Sequence, residues 1–355
     1  RDRLRSRGLG DVYKRQESEG YDRTSMKLPQ CQDRLIEEVL KVQPNVVVVL
    51  HNGSPVELPW ADKVSAILEM YLGGQGVGEA CDRLLYGEAN PSGRLAETFP
   101  YRLEDNPSYL HFPGNGKRVL YGEDIFVGYR YYDTKKVLVR YAFGHGLSYT
   151  EFAYGDLNLS SAQMTDEDIL TVSFKVKNTG KTEGKEVVQL YVADLCGISE
   201  RPVKELKGFA KVHLLPGEEK TVSMEISARN LSYYEERLGD WYAPSGTYRI
   251  LIGHASDDIR LHADIVFETQ KELPFRVDFT TTFGELLDHT KTAPVITELL
   301  APLAAAAASA EGMSDEYKKL GEQVIREMPM KSLLGQMPGE QVEQLIGQLN
   351  CLLAQ

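Results

Sequence analysis

Two glutamates that could transfer protons lie close to the start of the sequence. Glu17 and Glu19 precede the segment Gly20–Arg23, which reads Gly-Tyr-Asp-Arg. A carboxyl group can donate a proton to a leaving oxygen and later accept one from water. The glycine beside Glu19 gives the backbone of this segment conformational freedom. Asp22 and Arg23 carry opposite charges, and we expect an ion pair that shapes this loop. Taken alone, such glutamates are usually solvated surface acids.

The other chemically capable residues give weaker signals. The segment Gly73–Gly78 fits neither the dinucleotide-binding nor the P-loop pattern, because Glu79 occupies a required glycine position and no lysine follows. His51, His111 and His145 are isolated in the sequence and read as structural. The four cysteines form no Cys-x-x-Cys pair and lack the spacing to histidine that zinc sites use. The sequence therefore predicts no cofactor and no metal.

Composition and charge exclude several classes of protein. The chain of 355 residues is 42% hydrophobic and 26% charged, which is ordinary for a soluble protein. Its net charge of −12 argues against a nucleic-acid partner, because binding phosphates requires an excess of lysine and arginine. The sequence has no long apolar run, so neither a transmembrane helix nor a membrane partner is expected. Nothing requires an oxidising compartment, and we expect a cytoplasmic protein.

The first residues differ from the remainder in charge. Residues 1–16 contain six basic and two acidic residues. Residues 11–16, Asp-Val-Tyr-Lys-Arg-Gln, resemble the translation of a transposon-end adapter used in DNA library preparation. A basic nucleic-acid arm and a targeting peptide are the alternatives, but the segment has no apolar region, cleavage site or amphipathic stripe. We interpret residues 1–16 as a non-native junction segment.

Residues 17–150 have the pattern of an α/β domain. Val46–Leu50 is a continuous apolar run, as expected for a strand buried on both faces of a parallel sheet. Ala66–Leu72 predicts the next strand. Apolar residues at helical spacing predict helices over Gln30–Lys41 and after the glycine-rich turn, from Val77 onwards. This alternation predicts an α/β sandwich with a mostly parallel sheet and helices on its faces.

The hydrophobic period changes twice further along the chain. Residues 160–268 alternate apolar and polar positions, as at Val172, Phe174 and Val176, and they predict an all-β sandwich. Residues 270–355 return to helical spacing and predict a small helical extension. Its amphipathic stripes need a partner surface. The extension therefore either packs on the rest of the chain or serves as a dimer contact, which would give a homo-oligomer.

Several blocks of sequence, in one order, resemble glycoside hydrolase family 3, the β-glucosidase family. The most specific are residues 90–100, with Asn-Pro-Ser-Gly-Arg-Leu and Thr-Phe-Pro, and residues 121–133, with Tyr-Gly-Glu and Val-Gly-Tyr-Arg-Tyr-Tyr-Asp. The remaining blocks are the Glu19 loop, Gly53–Trp60, Gly73–Gly78, Phe143–Thr150 and Glu205–Phe209. The resemblance implies that residues 17–150 are the family's α/β-sandwich domain. It also implies that residues 160–268 are its fibronectin type III-like domain.

The resemblance also implies a catalytic arrangement. In that family a (β/α)₈ barrel precedes these domains and carries an aspartate nucleophile, and the reaction retains the anomeric configuration. The position that matches the family's general acid/base is Glu19, and Glu17 is the second candidate. Asp22 and Arg23 are then the residues that shape the loop. The implied substrate is a β-linked glycoside, such as a β-glucoside or β-xyloside, and the implied partner is the missing N-terminal barrel domain.

Two functional classes remain open from the sequence. The chain is either a C-terminal fragment of a retaining β-glucosidase-like enzyme, inactive alone, or a barrel-less, non-catalytic carbohydrate-binding or scaffolding module. The aromatic residues Tyr129, Tyr131 and Tyr132 bear on this choice, because aromatic rings can stack on sugars. We interpret them as packing residues that link the two domains.

Overall fold

The computed structural model describes residues 23–197, 201–308 and 315–354. These residues form two compact units. The first unit contains an α/β region and a β-sandwich, and it comprises the residues up to Glu235 together with Gly239–Lys271. The second unit comprises residues 236–238 and the mostly helical residues from Glu272 onwards. Within these ranges, no helix combines the length and the apolar composition needed to cross a membrane.

The α/β region has short strands and three helices within the described residues. In chain order its elements are α1 (Gln30–Leu40), β1 (Val47–Leu50), β2 (Ala66–Glu69), α2 (Val77–Leu85), β3 (Phe99–Pro100), α3 (Tyr129–Lys135) and β4 (Val139–Tyr141). Strands β1 and β2 pair in parallel, whereas β3 and β4 pair antiparallel.

The predicted mostly parallel sheet is wrong, because most strand pairs of the described chain are antiparallel. In the described α/β region, parallel pairing is limited to β1 with β2 and to an isolated bridge between Lys27 and Glu57. The segment after α2 is rich in turn-forming glycine, asparagine and proline, so it does not continue the alternation. Strand β3 contains Pro100, which has no backbone N–H to donate and therefore does not suit a central strand.

The core of the α/β region lies around Trp60, which is fully buried. The Trp60 indole donates a hydrogen bond of 2.8 Å to Asp33 Oδ1 on α1. Leu50 and Phe99 from β1 and β3 also belong to this core. In contrast, neither α1 nor α2 contains a buried residue. Leu35 on α1 is 63% exposed.

The sandwich is built from two mostly antiparallel sheets. Its elements are β5 (Phe152–Leu159), β6 (Gln163–Thr165), β7 (Ile169–Asn178), β8 (Gly184–Asp194), β9 (Glu205–Leu214), β10 (Glu219–Ser227), α4 (Ala228–Leu231), β11 (Tyr233–Glu235), β12 (Asp240–Tyr242), β13 (Gly246–Ala255) and β14 (Asp258–Glu268). One sheet has the order β10-β7-β5 and the other has the order β6-β14-β13-β8-β9. The short β6–β14 pair is parallel.

The all-β prediction is confirmed, and the alternating residues form the core as expected. Val172, Phe174 and Val176 on β7 point into a core shared with β8, β13 and β14. The sandwich begins before the predicted boundary at residue 160, because Phe152–Leu159 pairs with β7. The spacing of apolar residues in the sequence does not show that β5 pairs with β7.

The helical unit has a core of its own. Its elements are α5 (Phe283–Asp288), α6 (Ala293–Ala308), α7 (Asp315–Glu327) and α8 (Gly339–Leu353). Helix α5 begins with a capping box, in which Thr282 and Glu285 each bond the backbone N–H of the other. Phe283, Leu286, Ile296, Met330, Leu333, Val342 and Leu349 form the centre of this core. The predicted helical extension is therefore confirmed, and its helices share one core, although Leu320 and Val324 on α7 are exposed.

The sandwich core should dominate the stability of the first unit. Leu190 on β8 is 0% exposed, whereas Leu215 is 51% exposed in the turn before β10. We expect Leu190→Ala to lower the free energy of unfolding by about 2–5 kcal/mol, because it leaves a cavity in a close-packed core. Leu215→Ala is the matched control and should change it by less than about 0.5 kcal/mol. Urea unfolding monitored by circular dichroism measures both, and equal losses would contradict this core assignment.

Candidate active site

The carboxyl ends of β1 and β2 lie at the same edge of their sheet. The parallel register pairs Leu50, the last residue of β1, with Glu69, the last residue of β2. In α/β sheets, ligands bind in the loops beyond the carboxyl ends of the strands. Residues 51–60 follow β1 and residues 70–76 follow β2. We refer to these two strand ends and their loops as the carboxyl edge.

Arg23 is the one predicted loop residue within the described part of the chain. Its guanidinium donates a hydrogen bond to the carbonyl oxygen of Pro55, 3.1 Å away in the loop after β1. Glu17, Glu19 and Asp22 lie outside the described residues, so their roles stay predictions. The Arg23 contact places the end of the predicted catalytic loop at the carboxyl edge.

A pair of acidic residues that was not predicted from the sequence lies at the same edge. Burial raises the pKa of Glu69 to about 7. Hydrogen bonds from the Tyr71 amide and the Asn52 side chain act to lower this pKa, whereas the negative charge of Glu97 acts to raise it. The Tyr71 amide donates to Glu69 Oε1 at 2.8 Å. Burial also raises the pKa of Glu97, although the positive charge of Arg23 acts against it. The two carboxyls and Arg23 thus form one electrostatic group.

Four polar atoms around this group are buried and have no hydrogen-bond partner. They are Asn52 Oδ1, Glu69 Oε2, Tyr71 Oη and Thr98 Oγ1. Leaving such atoms unpaired is unfavourable, and a protonated Glu69 reduces the cost for its own carboxyl group. Tyr71 also has a positive φ of 45°. A strained residue of this kind is typical of functional sites.

This arrangement can change its charge near neutral pH, which is a property of proton-transfer sites. It does not resemble a metal site: the described ranges contain no group of three or more His, Cys, Asp or Glu side chains able to hold a metal ion. One signal could have identified Glu69 from the sequence, because it is a carboxyl group at the end of an apolar strand. Glu97 lies within the distinctive block of residues 90–100, which indicates the family but gives no sign that Glu97 lies beside Glu69.

The raised pKa of Glu69 makes stability depend on pH. Glu69 titrates near its ordinary value of 4.5 in the unfolded chain and near 7 in the folded chain. The unfolded chain therefore loses its proton first, and stability falls as the pH rises between these values. Glu69→Gln cannot ionise. We expect it to match the native protein near pH 4 and to exceed it by about 2 kcal/mol at pH 8, given about 1.4 kcal/mol per pKa unit and some screening by solvent.

The measurement is urea unfolding at several pH values, followed by tryptophan fluorescence, since Trp60 belongs to the adjoining core. Glu79→Gln on the exposed side of α2 is the matched control and should show no pH-dependent difference from the native protein. An equal difference between Glu69→Gln and the native protein at pH 4 and pH 8 would contradict the assignment.

Comparisons with known sequence families match both regions of the first unit. Residues 9–149 match the glycosyl hydrolase family 3 C-terminal domain. Residues 186–256 match the fibronectin type III-like domain. The first match contains the carboxyl edge, and the second contains most of β8 and strands β9 to β13 of the sandwich.

Curated relatives are longer than this chain. Thermostable β-glucosidase B of Acetivibrio thermocellus is 47% identical over 347 residues, which is 97% of this chain and 45% of the relative. A β-glucosidase of Kluyveromyces marxianus is 46% identical over 72% of this chain and 30% of its own length. The chain therefore spans less than half the length of these relatives.

Solved structures are similar over the same region. The Kluyveromyces marxianus β-glucosidase in complex with glucose has a TM-score of 0.67 at 44% identity, covering 71% of this chain and 30% of that one. The Bifidobacterium adolescentis GH3 β-glucosidase has a TM-score of 0.71 at 38% identity, covering 80% and 41%. The chain thus belongs to glycoside hydrolase family 3, of which it carries the C-terminal domain and the fibronectin type III-like domain.

Proposed function

We propose that this chain is the C-terminal part of a retaining β-glucosidase-type hydrolase and that it supplies the general acid/base, Glu19, with Glu17 as the second candidate. The observation that carries the proposal is the hydrogen bond from Arg23 to the Pro55 carbonyl oxygen. It holds the residue four positions after Glu19 at the carboxyl edge, where α/β domains place their reactive loops. The similarity to named β-glucosidases supports the same reaction class.

The proposed reaction needs two carboxyl groups about 5–5.5 Å apart. Glu19 protonates the glycosidic oxygen while a carboxylate outside this chain attacks the anomeric carbon, so the aglycone leaves and a covalent glycosyl-enzyme forms. Glu19, now ionised, takes a proton from water, and the resulting hydroxide releases the sugar. Under this proposal the second carboxylate belongs to a (β/α)₈ barrel in the whole protein, and the substrate is a β-linked glycoside.

Exposed apolar surface in the α/β region supports a further domain in the whole protein. Helices α1 and α2 are amphipathic, yet neither buries a residue. The segment 109–127 exposes further large apolar side chains: Tyr109, Leu110, Phe112, Val119, Leu120, Tyr121, Ile125 and Val127. Exposed patches of this kind mark interaction sites. We assign this surface to the barrel, because the relatives are more than twice as long as this chain.

A carbohydrate-binding module is the second candidate function, and one observation favours it. Tyr234 and Trp241 are cross-strand partners on β11 and β12, with ring centroids 5.7 Å apart. They are 54% and 38% exposed. Exposed aromatic rings can stack on sugars, but Arg229 already lies over the Trp241 ring. The catalytic proposal is therefore preferred.

A chimera tests the catalytic proposal. Residues 17–355 replace the matching part of the Acetivibrio thermocellus protein, whose remaining portion supplies the rest of the enzyme. In this chimera, Glu19→Ala should slow hydrolysis of glucosides with poor leaving groups by about 10²–10⁴-fold, the usual contribution of a general acid. Dinitrophenyl glucosides need no proton and should be cleaved to the glycosyl-enzyme at near the native rate. Azide should restore turnover by attacking that intermediate without a base.

Glu17→Ala is the matched control and should leave the leaving-group dependence, the azide response and the alkaline limb of the pH profile unchanged. Azide rescue of Glu17→Ala but not of Glu19→Ala would move the assignment by two positions. Rescue of neither variant in an active chimera would contradict an acid/base in this loop. A folded chimera without activity, combined with glucan binding by the chain alone, would favour the carbohydrate-binding module.

A further inference from the structure

A buried carboxylate joins the α/β region to the sandwich, far in sequence from the predicted catalytic loop. The side chain of Glu186 on β8 is 0% exposed. It accepts hydrogen bonds from Arg94 of the α/β region, from Tyr154 on β5 at 2.6 Å and from His254 Nδ1 on β13 at 2.6 Å. Burial raises the pKa of Glu186, but the His254 contact and the charge of Arg94 outweigh it, so the net pKa is lowered and the group is an anion.

The surroundings of His254 determine its protonation state. Nδ1 faces the Glu186 carboxylate, and Nε2 lies 2.9 Å from the carbonyl oxygen of Gly146 in the α/β region. Both partners are acceptors, so each ring nitrogen must donate. A neutral imidazole has one N–H, whereas the imidazolium has two. The geometry therefore requires the charged ring.

Arg94 is a second cation that donates to both hydrogen-bond acceptors of His254. The Arg94 guanidinium lies 3.5 Å from His254 Nδ1 and also donates to the Gly146 carbonyl oxygen at 2.8 Å. Arg94 Nε is buried without a partner, so two cations share one buried anion. The ionisable groups that face this contact are Arg94, His145, Tyr154, Glu186, Asp257, Asp258 and Arg260.

We propose that His254 is a proton-operated latch between the α/β region and the sandwich. The imidazolium bridges Glu186 of the sandwich and Gly146 of the α/β region. When the ring loses a proton, one nitrogen presents a lone pair to an acceptor and that bond is lost. A hydrogen bond to a charged group is stronger than a neutral one. Raising the pH therefore loosens the contact, and lowering it closes the contact again.

The ring protons can be observed directly in the unaltered chain. Nitrogen-15 NMR of the histidine rings distinguishes one N–H from two, and exposed His262 on β14 provides an internal reference. We expect two N–H groups on His254 under conditions in which the contact is protected from hydrogen exchange, and one N–H group where that protection is lost. A single N–H on His254 while the contact is still protected would overturn the proposal.

Hydrogen exchange tests the mechanical consequence. The Ser256 amide bonds the Phe143 carbonyl oxygen across the two regions at 2.9 Å. Its protection, relative to core amides of β13, should fall by about tenfold between about pH 5 and pH 8, the range over which an unperturbed histidine loses its charge. His254→Gln, which cannot charge, should show the low protection at both pH values. His262→Gln should behave like the native chain.

Subtracting the His254→Gln data from the native data at each pH removes the separate titration of Glu69 at the carboxyl edge. Protection that is independent of pH in the native chain would overturn the latch. The same loss of pH dependence in His262→Gln would also overturn it, because the effect would then not belong to His254.

Discussion

The Glu186 carboxylate is completely buried, and both the sandwich and the α/β region supply the groups that neutralise it. Burying an unpaired charge is strongly unfavourable, and removing one partner from such a pair typically destabilises a protein by about 3–5 kcal/mol. The two regions therefore depend on each other through this contact. Asn90 reinforces it: its Oδ1 accepts from Ser148 Oγ and the Tyr149 amide, and its Nδ2 donates to the carbonyl oxygen of Glu183 in the sandwich. The family's distinctive block at residues 90–100 thus serves the domain junction.

The same block connects the junction to the candidate site. Leu95 exchanges backbone hydrogen bonds with the segment Gly144–His145, and Glu97 follows at the carboxyl edge beside Glu69 and Arg23. A short segment therefore has one end at the sandwich and the other at the carboxyl edge. Tyr129 of the aromatic run has a similar role. It stacks on Phe143 at 4.7 Å, and its hydroxyl accepts the Leu206 amide of β9, so the interpretation as domain linkage is confirmed for this residue.

The sequence predicted those features that depend on local pattern. The alternation in β7 identified the sandwich, and the helical stripes identified the last unit, because periods of 2 and 3.6 residues report which face is buried. The parallel sheet was predicted wrongly because an apolar run such as Val46–Leu50 shows that a strand is buried but does not show its partners. Glu69, Glu97 and His254 were missed because their significance comes from burial and from neighbours distant in the sequence. Glu19 rests on a motif, and its position lies outside the described residues.

The central claim is that this chain supplies one of two carboxyl groups and that the other belongs to the rest of a larger hydrolase. The most direct test is the turnover of an aryl β-glucoside by residues 17–355 alone, compared with the same residues joined to the remaining portion of the Acetivibrio thermocellus protein. The account predicts no enzymatic turnover by the chain alone and about 1–10³ events per second in the joined protein, the ordinary range for enzymes. Turnover in that range by the chain alone would contradict the account, because both carboxyl groups would then have to lie within it.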